Sequence, residues 1–258
     1  MLEWLVVLAV AFGASLLTLF SGFGLGTLLL PAFAVFFPIE FAVAATAAVH
    51  LANNLFKFGL LGRDARWRVV ALFGLPAVPA ALAGALLLGW TARLPALAQY
   101  DLAGTAHRVE AAKLLVASLM VCFAVLELLP RTRKFEFSER WLPLGGALSG
   151  FFGGVSGHQG ALRSAFLVRL GLGPTQFVAT GVACALLIDL ARLPVYGANF
   201  SLAEFEGRWP LLTGAMLSAF AGAAIGARFL KSSTLEGIRY LVAALLLLVA
   251  ALLGLGLV

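Results

Sequence analysis

Charge is scarce in this sequence. Asp, Glu, Lys and Arg make up 12% of its 258 residues, about half the ~25% usual in a water-soluble domain. A soluble enzyme would lack the polar surface it needs, and that class is excluded. Cysteine is nearly absent as well. Cys122 and Cys184 both lie inside apolar runs, where cysteine acts as a small packing residue, so neither a disulfide scaffold nor a metal centre can be built. No nucleotide-binding motif occurs in the chain, which argues against direct drive by ATP, and no cofactor is expected. The start, Met1-Leu2-Glu3-Trp4, has no positive stretch ahead of its apolar run. The first segment is therefore read as part of the fold and not as a cleaved signal peptide.

Apolar residues fill the space that charge leaves, at 62% of the chain. Windows at 69–90, 209–230 and 238–258 are almost free of charge and reach the ~20 residues that a spanning helix needs. Long unbroken runs exclude a porin-type barrel, whose strands alternate. The expected class is an all-α integral membrane protein, because a lipid-embedded backbone must satisfy its own hydrogen bonds. Polar and glycine-rich breaks divide the chain into ten segments, approximately 2–20, 24–37, 39–60, 69–90, 111–129, 142–155, 160–172, 175–195, 209–230 and 238–258.

An internal repeat emerges when residue n is set against residue n+136. Ser21-Gly22-Phe23-Gly24 meets Gly157-His158-Gln159-Gly160, Pro38-Ile39-Glu40-Phe41 meets Pro174-Thr175-Gln176-Phe177, and Asn53 meets Asp189. The order of features carries the match: glycine turn, short apolar run, proline, then a long apolar run with a late polar residue. Two repeats of five segments follow, residues 1–130 and 142–258, joined by a charged loop at 131–141. Basic residues cluster at Arg63, Arg66 and Arg68, at Arg131, Arg133, Lys134 and Arg140, and at Arg228, Lys231 and Arg239. Such loops are expected on the cytoplasmic side. The loops near 91–110 and 196–208 mix Arg93, Arg108 and Arg208 with Asp101, Glu110, Glu204 and Glu206, so they and both termini are expected outside. An odd number of segments per repeat makes the two topologies inverted. The net charge of +6 then records orientation, and no nucleic-acid partner is expected.

Segments 142–155 and 160–172 are too short to span: at ~1.5 Å per residue each covers only ~20 Å of a ~30 Å hydrocarbon core. A re-entrant or broken-helix hairpin at the start of each repeat fits that length. The tips would be Ser21-Gly22-Phe23-Gly24-Leu25-Gly26 and Ser156-Gly157-His158-Gln159-Gly160, entering from opposite faces and meeting near the middle. Glycine-broken segments at matching places in two repeats point to a transporter's binding site.

Arg163 lies just beyond the second tip, where a charge costs at least ~2.5 kcal/mol unless it faces a partner or a cavity. It is either clamped by a structural ion pair or holds an anion, since its fork matches two oxygens of a sulfonate, sulfite or carboxylate. N–H groups after Gly160 would add to the same positive field. His158 is either a proton-coupling group or a tip residue bonded to backbone, with Gln159 and Ser156 beside it. His50, Asn53, Asn54 and Lys57 form one polar stripe, paired by spacings of four. Lys57 is near enough to the helix end to snorkel and is not assigned a ligand role. Asp189 either pairs locally with Arg192 or relays a proton. Gly154-Val155-Ser156-Gly157 matches the Gly-x-Ser-Gly of rhomboid-type proteases, but the only later histidine, His158, is two residues away and not on a separate helix.

The run Gly22-Phe23-Gly24-Leu25-Gly26-Thr27-Leu28-Leu29-Leu30-Pro31, then Pro38 and Ala42-Val43-Ala44-Ala45-Thr46, resembles the repeats of the TauE/SafE sulfite exporter family. The second copy, Ser156-Gly157-His158-Gln159-Gly160-Ala161-Leu162-Arg163 with Pro174 and Ala179-Thr180-Gly181, is similar to the corresponding half, and the likeness covers nearly the whole chain. It departs from the usual triple-glycine turn at His158 and Gln159. The resemblance implies a plasma-membrane transporter of sulfur oxyanions or organosulfur anions, and not an enzyme.

The expected protein is thus a secondary exporter of a small sulfur-containing anion such as sulfite or an organosulfonate, proton-coupled, in the inner membrane. Substrate contacts are expected from Arg163, Gln159, His158, Ser156, Ser21, Gly22, Gly24, Asn53 and Asn54. Proton coupling is expected at His50, His158 or Asp189. A passive anion channel on the same hairpins is the alternative, with an intramembrane serine protease at Ser156 behind it. Partners would be the anion, protons, the lipid bilayer and, as an open alternative, a second copy of the chain.

Overall fold

The computed structural model describes residues 1–21, 24–102, 104–128, 138–168, 170–200, 205–228 and 236–258; for residues 19–21, 127, 236–239 and 241 it describes the backbone alone. Helices follow the segment map closely. They are α1 (Leu2–Ser21), α2 (Leu25–Ala34), α3 (Ile39–Leu61), α4 (Trp67–Thr91), α5 (Ala111–Leu128), α6 (Leu142–Ser156), α7 (Gly160–Leu167), α8 (Pro174–Asn199), α9 (Trp209–Arg228) and α10 (Glu236–Gly254). Proline and glycine set several of the ends. Pro38 caps α3 and Pro174 opens α8, where a missing N–H costs nothing. Gly157 closes α6 in the left-handed region, at φ +77, a conformation that favours glycine.

Three elements differ from the sequence expectation. The loop near 91–110 contains a β-hairpin, β1 (Ala98–Leu102) and β2 (Thr105–Val109), with Tyr100 opposite His107 in register. Its anchor is remote in sequence: the Tyr100 hydroxyl donates to the Leu255 carbonyl at 2.6 Å, and His107 Nδ1 lies 3.2 Å from the Gly256 carbonyl. Secondly, α7 ends at Leu167, well before residue 172, because Gly171 adopts φ +67 ahead of Gly173-Pro174. Thirdly, α2 ends at Ala34, before residue 37, and has 10 residues, against 20 for α1, 15 for α6 and 8 for α7.

Cross-helix contacts fix the directions. The Phe41 ring packs tilted against Phe205 with centroids 4.9 Å apart, His50 meets Asp189 at 2.6 Å, and the Arg66 amide donates to Thr180 Oγ1 at 2.9 Å. As α3 descends, α8 ascends, so the two run antiparallel. Similarly, α5 begins at the hairpin where the end of α10 is held. By contrast α4 and α6 run parallel on a glycine seam. A Cβ on Gly146, Gly150 or Gly154 would strike the carbonyls of Phe73, Ala77 or Ala81 in turn, so the two backbones touch without side chains between them. The α1–α9 seam is also parallel: Ser218 Oγ donates to the Leu8 carbonyl at 2.8 Å, and a Cβ on Gly222 would strike the Phe12 carbonyl.

Two faces result. One carries the β-hairpin, the residues 35–38 turn and Val258, which share a surface cavity, with Arg93 donating to Asn199 at 2.7 Å. The opposite face carries the basic residues, where Arg66 and Arg68 reach Glu139 at 3.1 and 3.6 Å. The α1–α2 pair enters from the first face and α6–α7 from the second. Their tips meet in the interior, where a Cβ on Gly24 or Gly26 would come within 3.3 Å of Gly160 Cα or 3.0 Å of the Gly157 carbonyl.

The outer surface suits lipid. Leu5, Leu75, Leu86, Leu217 and Leu248 are exposed, and α3, α4, α8 and α9 are long and apolar enough to cross a membrane among the described residues. All five tryptophans lie at helix ends and are exposed: Trp4, Trp67, Trp90, Trp141 and Trp209. On α4, Trp67 and Trp90 are about 35 Å apart at ~1.5 Å per residue, a little more than the ~30 Å hydrocarbon core, as interfacial aromatic belts require. The chain is a multi-pass helical membrane protein.

Candidate functional site

The buried centre is organised by one carboxylate. Asp189 is fully buried on α8. Its Oδ1 accepts from Arg192 Nη2 at 2.9 Å and Nε at 3.1 Å and from Gln159 Nε2 at 3.1 Å. Its Oδ2 lies 2.6 Å from His50 Nδ1 and accepts from Asn54 Nδ2 at 3.2 Å. Buried charge is tolerated only when paired and hydrogen-bonded, and this cluster joins α3, α8 and the α6–α7 tip. Arg192 extends it by donating to the Gly153 carbonyl at 2.8 Å, and the Tyr196 hydroxyl donates to the Gly154 carbonyl. Both bonds engage the last turn of α6, where the Gly153 carbonyl also accepts from the Gly157 N–H at 2.9 Å.

A small cavity of about 40 Å³ opens beside the cluster, lined by Gly24, Leu25, His50, Asn54, Lys57, Arg163 and Gly181 among others. On a scale of ~10–15 Å³ of such volume per water, it suits a few water-sized groups and not an extended molecule. The first residue of α2 borders it, and Arg163 projects from the first turn of α7. Of the two half-helices, α2 thus starts at the cavity, where its N-terminal N–H groups and dipole favour negative charge, while α7 lines it with Arg163, Ser164 and Leu167. Arg163 is half-buried, and its Nη1 donates to Gln159 Oε1 at 3.3 Å. Gln159 is itself held by Ser149 Oγ, which donates to its carbonyl at 2.9 Å.

Of the residues singled out from sequence, Arg163, Gln159, Gly24, Asn54, His50 and Asp189 converge here. Asn53 sits one step away, its amide between Ser15 Oγ, the Ala219 carbonyl and Lys57 Nζ with its oxygen turned to the lysine at 3.1 Å. Asp189 makes the local pair with Arg192 and also contacts His50. Ser156 and His158 fall elsewhere. Ser156 Oγ donates to the Phe152 carbonyl at 3.2 Å and lies 3.0 Å from His158 Nδ1. The His158 ring stacks on Phe123 of α5 at 5.3 Å, and neither residue lines the cavity. Gly22 lies outside the described residues, as does the Ser21 side chain.

Lys57 corrects the sequence reading. It is buried at 4% exposure and turned inward. Its Nζ donates to Thr18 Oγ1 at 2.8 Å and to the Ser15 carbonyl at 3.4 Å. The reason is tertiary: α1 crosses this level of α3 and offers oxygens there, so the ammonium has no need to reach the surface. The spacing of three that pairs Arg192 with Asp189 in the sequence holds, but the Arg192 bond to Gly153 has no sequence signal, and Thr18 has none either.

The family model described as sulfite exporter TauE/SafE matches residues 7–253, nearly the full chain. No curated protein matches it. The match spans both half-helices and every residue around the cavity. The chain therefore belongs to the sulfite exporter TauE/SafE family, whose members are membrane transporters of sulfur anions and not enzymes.

Proposed function

We propose that the protein is a proton-coupled secondary carrier that exports a small sulfur-containing anion, sulfite or a short organosulfonate, across the inner membrane. One observation carries the reading: the start of α2 and Arg163 of α7, two half-helices entering from opposite faces, line a single small cavity. Broken helices with facing N-termini are how carriers hold an anion without importing a counter-charge. Arg163 binds the oxyanion, and Gln159, Asn54 and the amides after Gly24 hydrogen-bond it. The His50–Asp189 pair is the proton site, being buried, titratable and adjacent to the anion. The small cavity favours an occluded carrier over an open channel.

Architecture supports the same reading. Residues 1–130 and 142–258 are two repeats of inverted topology joined by 131–141. In support, α1 lies on α9 as α6 lies on α4, and α3 opposes α8 as α5 opposes α10. The basic face, with Arg63, Arg66 and Arg68, is cytoplasmic by the positive-inside rule, which places the hairpin face and both termini outside.

Flux of sulfite into proteoliposomes under an imposed pH gradient tests the proposal. Saturable, gradient-driven uptake is expected, and Arg163→Ala abolishes it while expression and thermal unfolding stay as in the wild type. Wild-type flux in that variant sinks the anion assignment. Uptake that neither saturates nor follows the gradient replaces the carrier by a channel.

A further inference from the structure

The two repeats treat their third helices differently by one negative charge. In the second repeat, Arg192 of α8 clasps the Gly153 carbonyl near the end of α6 and is neutralised by Asp189. In the first, Lys57 of α3 clasps the Ser15 carbonyl near the end of α1, but the position matching Asp189 is Asn53. The oxygens around Lys57 Nζ come from Ser15, Thr18 and Asn53, all neutral. Arg163 has a neutral partner too, Gln159. Asp189, the carboxylate of the cluster among the described residues, is committed to His50, Asn54, Gln159 and Arg192. Lys57 and Arg163 therefore line one cavity as two positive charges, one from each repeat, with no carboxylate hydrogen-bonded to either among the described residues.

Two like charges beside a cavity of that size repel each other unless something negative lies between them. A single negative charge leaves one of them uncompensated, whereas a double charge balances both. Resting on the anion-carrier reading above, we propose that Lys57 is a second substrate-binding residue, acting with Arg163 to select dianionic oxyanions over monoanions. The compact ammonium supplies charge without geometric demand, and the guanidinium fork supplies orientation. Sulfate, thiosulfate and doubly ionised sulfite match two positive charges better than methanesulfonate, which is of similar size but carries one charge.

Purified full-length protein is titrated with sulfate, thiosulfate and methanesulfonate, with binding read as a shift in thermal unfolding and as competition against sulfite uptake. The wild type is expected to bind the dianions at least ~10-fold more tightly than methanesulfonate, a preference of one charge contact. Lys57→Met loses that preference, with dianion affinity falling ~10-fold or more and methanesulfonate affinity shifting by less than ~3-fold. Asn53→Asp keeps the lysine and supplies the carboxylate that the second repeat has. It reproduces the loss without emptying the site, which guards against a Lys57→Met variant that fails to fold, and Lys57→Arg retains the preference. If Asn53→Asp and Lys57→Met both keep the wild-type preference while Arg163→Ala loses all binding, Lys57 is structural and the inference falls with the carrier intact. If the wild type binds none of these anions and transports no sulfite, the carrier reading falls and takes the inference with it.

Discussion

At the scale of single residues, Asp189 has four side-chain partners on three elements, and its loss strands each of them. Asp189→Ala leaves the fully buried Arg192 without its counter-charge. Removing one member of a buried ion pair costs about 3–5 kcal/mol, so a large fall in the thermal unfolding midpoint in detergent is expected. Arg192→Gln combined with Asp189→Asn removes both charges and should recover part of the loss. A single variant that unfolds with the wild type would show that the cluster adds nothing to stability. Much of this was legible in the sequence. An arginine just past a glycine turn in an apolar run, an Asp–Arg spacing of three and a His–Asn spacing of four all survive in the structure. What spacing could not reveal was direction across helices. Lys57 lies four residues from the end of α3, as its snorkelling role assumed, but the oxygens that hold it belong to α1. His158 and Ser156 lie away from the cavity for a related reason: the tip presents Gln159 to Asp189, while His158 stacks on Phe123 and Ser156 turns back to the Phe152 carbonyl.

At the scale of elements, the glycines sort into those that hold seams and those that do not. Gly150 lies against the Ala77 carbonyl, where a Cβ meets backbone that cannot move aside, while a Cβ on Gly13 or Gly59 has nothing within 4 Å. Gly150→Leu is expected to abolish folded protein, judged by size-exclusion profile and yield. Gly59→Ala should hold or raise the unfolding midpoint, since alanine in a helix gains ~0.5–1 kcal/mol over glycine. Equal behaviour of the two variants would mean that the seam is not close-packed. Helix positions were readable because apolar length, proline and glycine are local signals. The β-hairpin was not, because its strands hold through Leu255 and Gly256 at the other end of the chain.

At the scale of the whole molecule, the two close seams both join one half of the sequence to the other. The α6 arm of the second hairpin is bound, backbone to backbone, to α4 of the first half, and the α1 arm of the first hairpin is bound to α9 of the second. Rocking one half of the sequence against the other would tear both seams. Cysteines introduced at Leu8 and Gly214, which face each other across the α1–α9 seam, in a background lacking Cys122 and Cys184, test this directly. Oxidative cross-linking should leave sulfite flux at the uncross-linked level, whereas abolished flux would mean that this seam opens in each cycle. On the carrier reading, with flux unchanged by the cross-link, the bodies that trade places during turnover would be composite, each assembled from a hairpin of one half and a scaffold helix of the other. Neither half alone carries a complete moving part, so the halves expressed as separate chains would each need the other before anything could alternate.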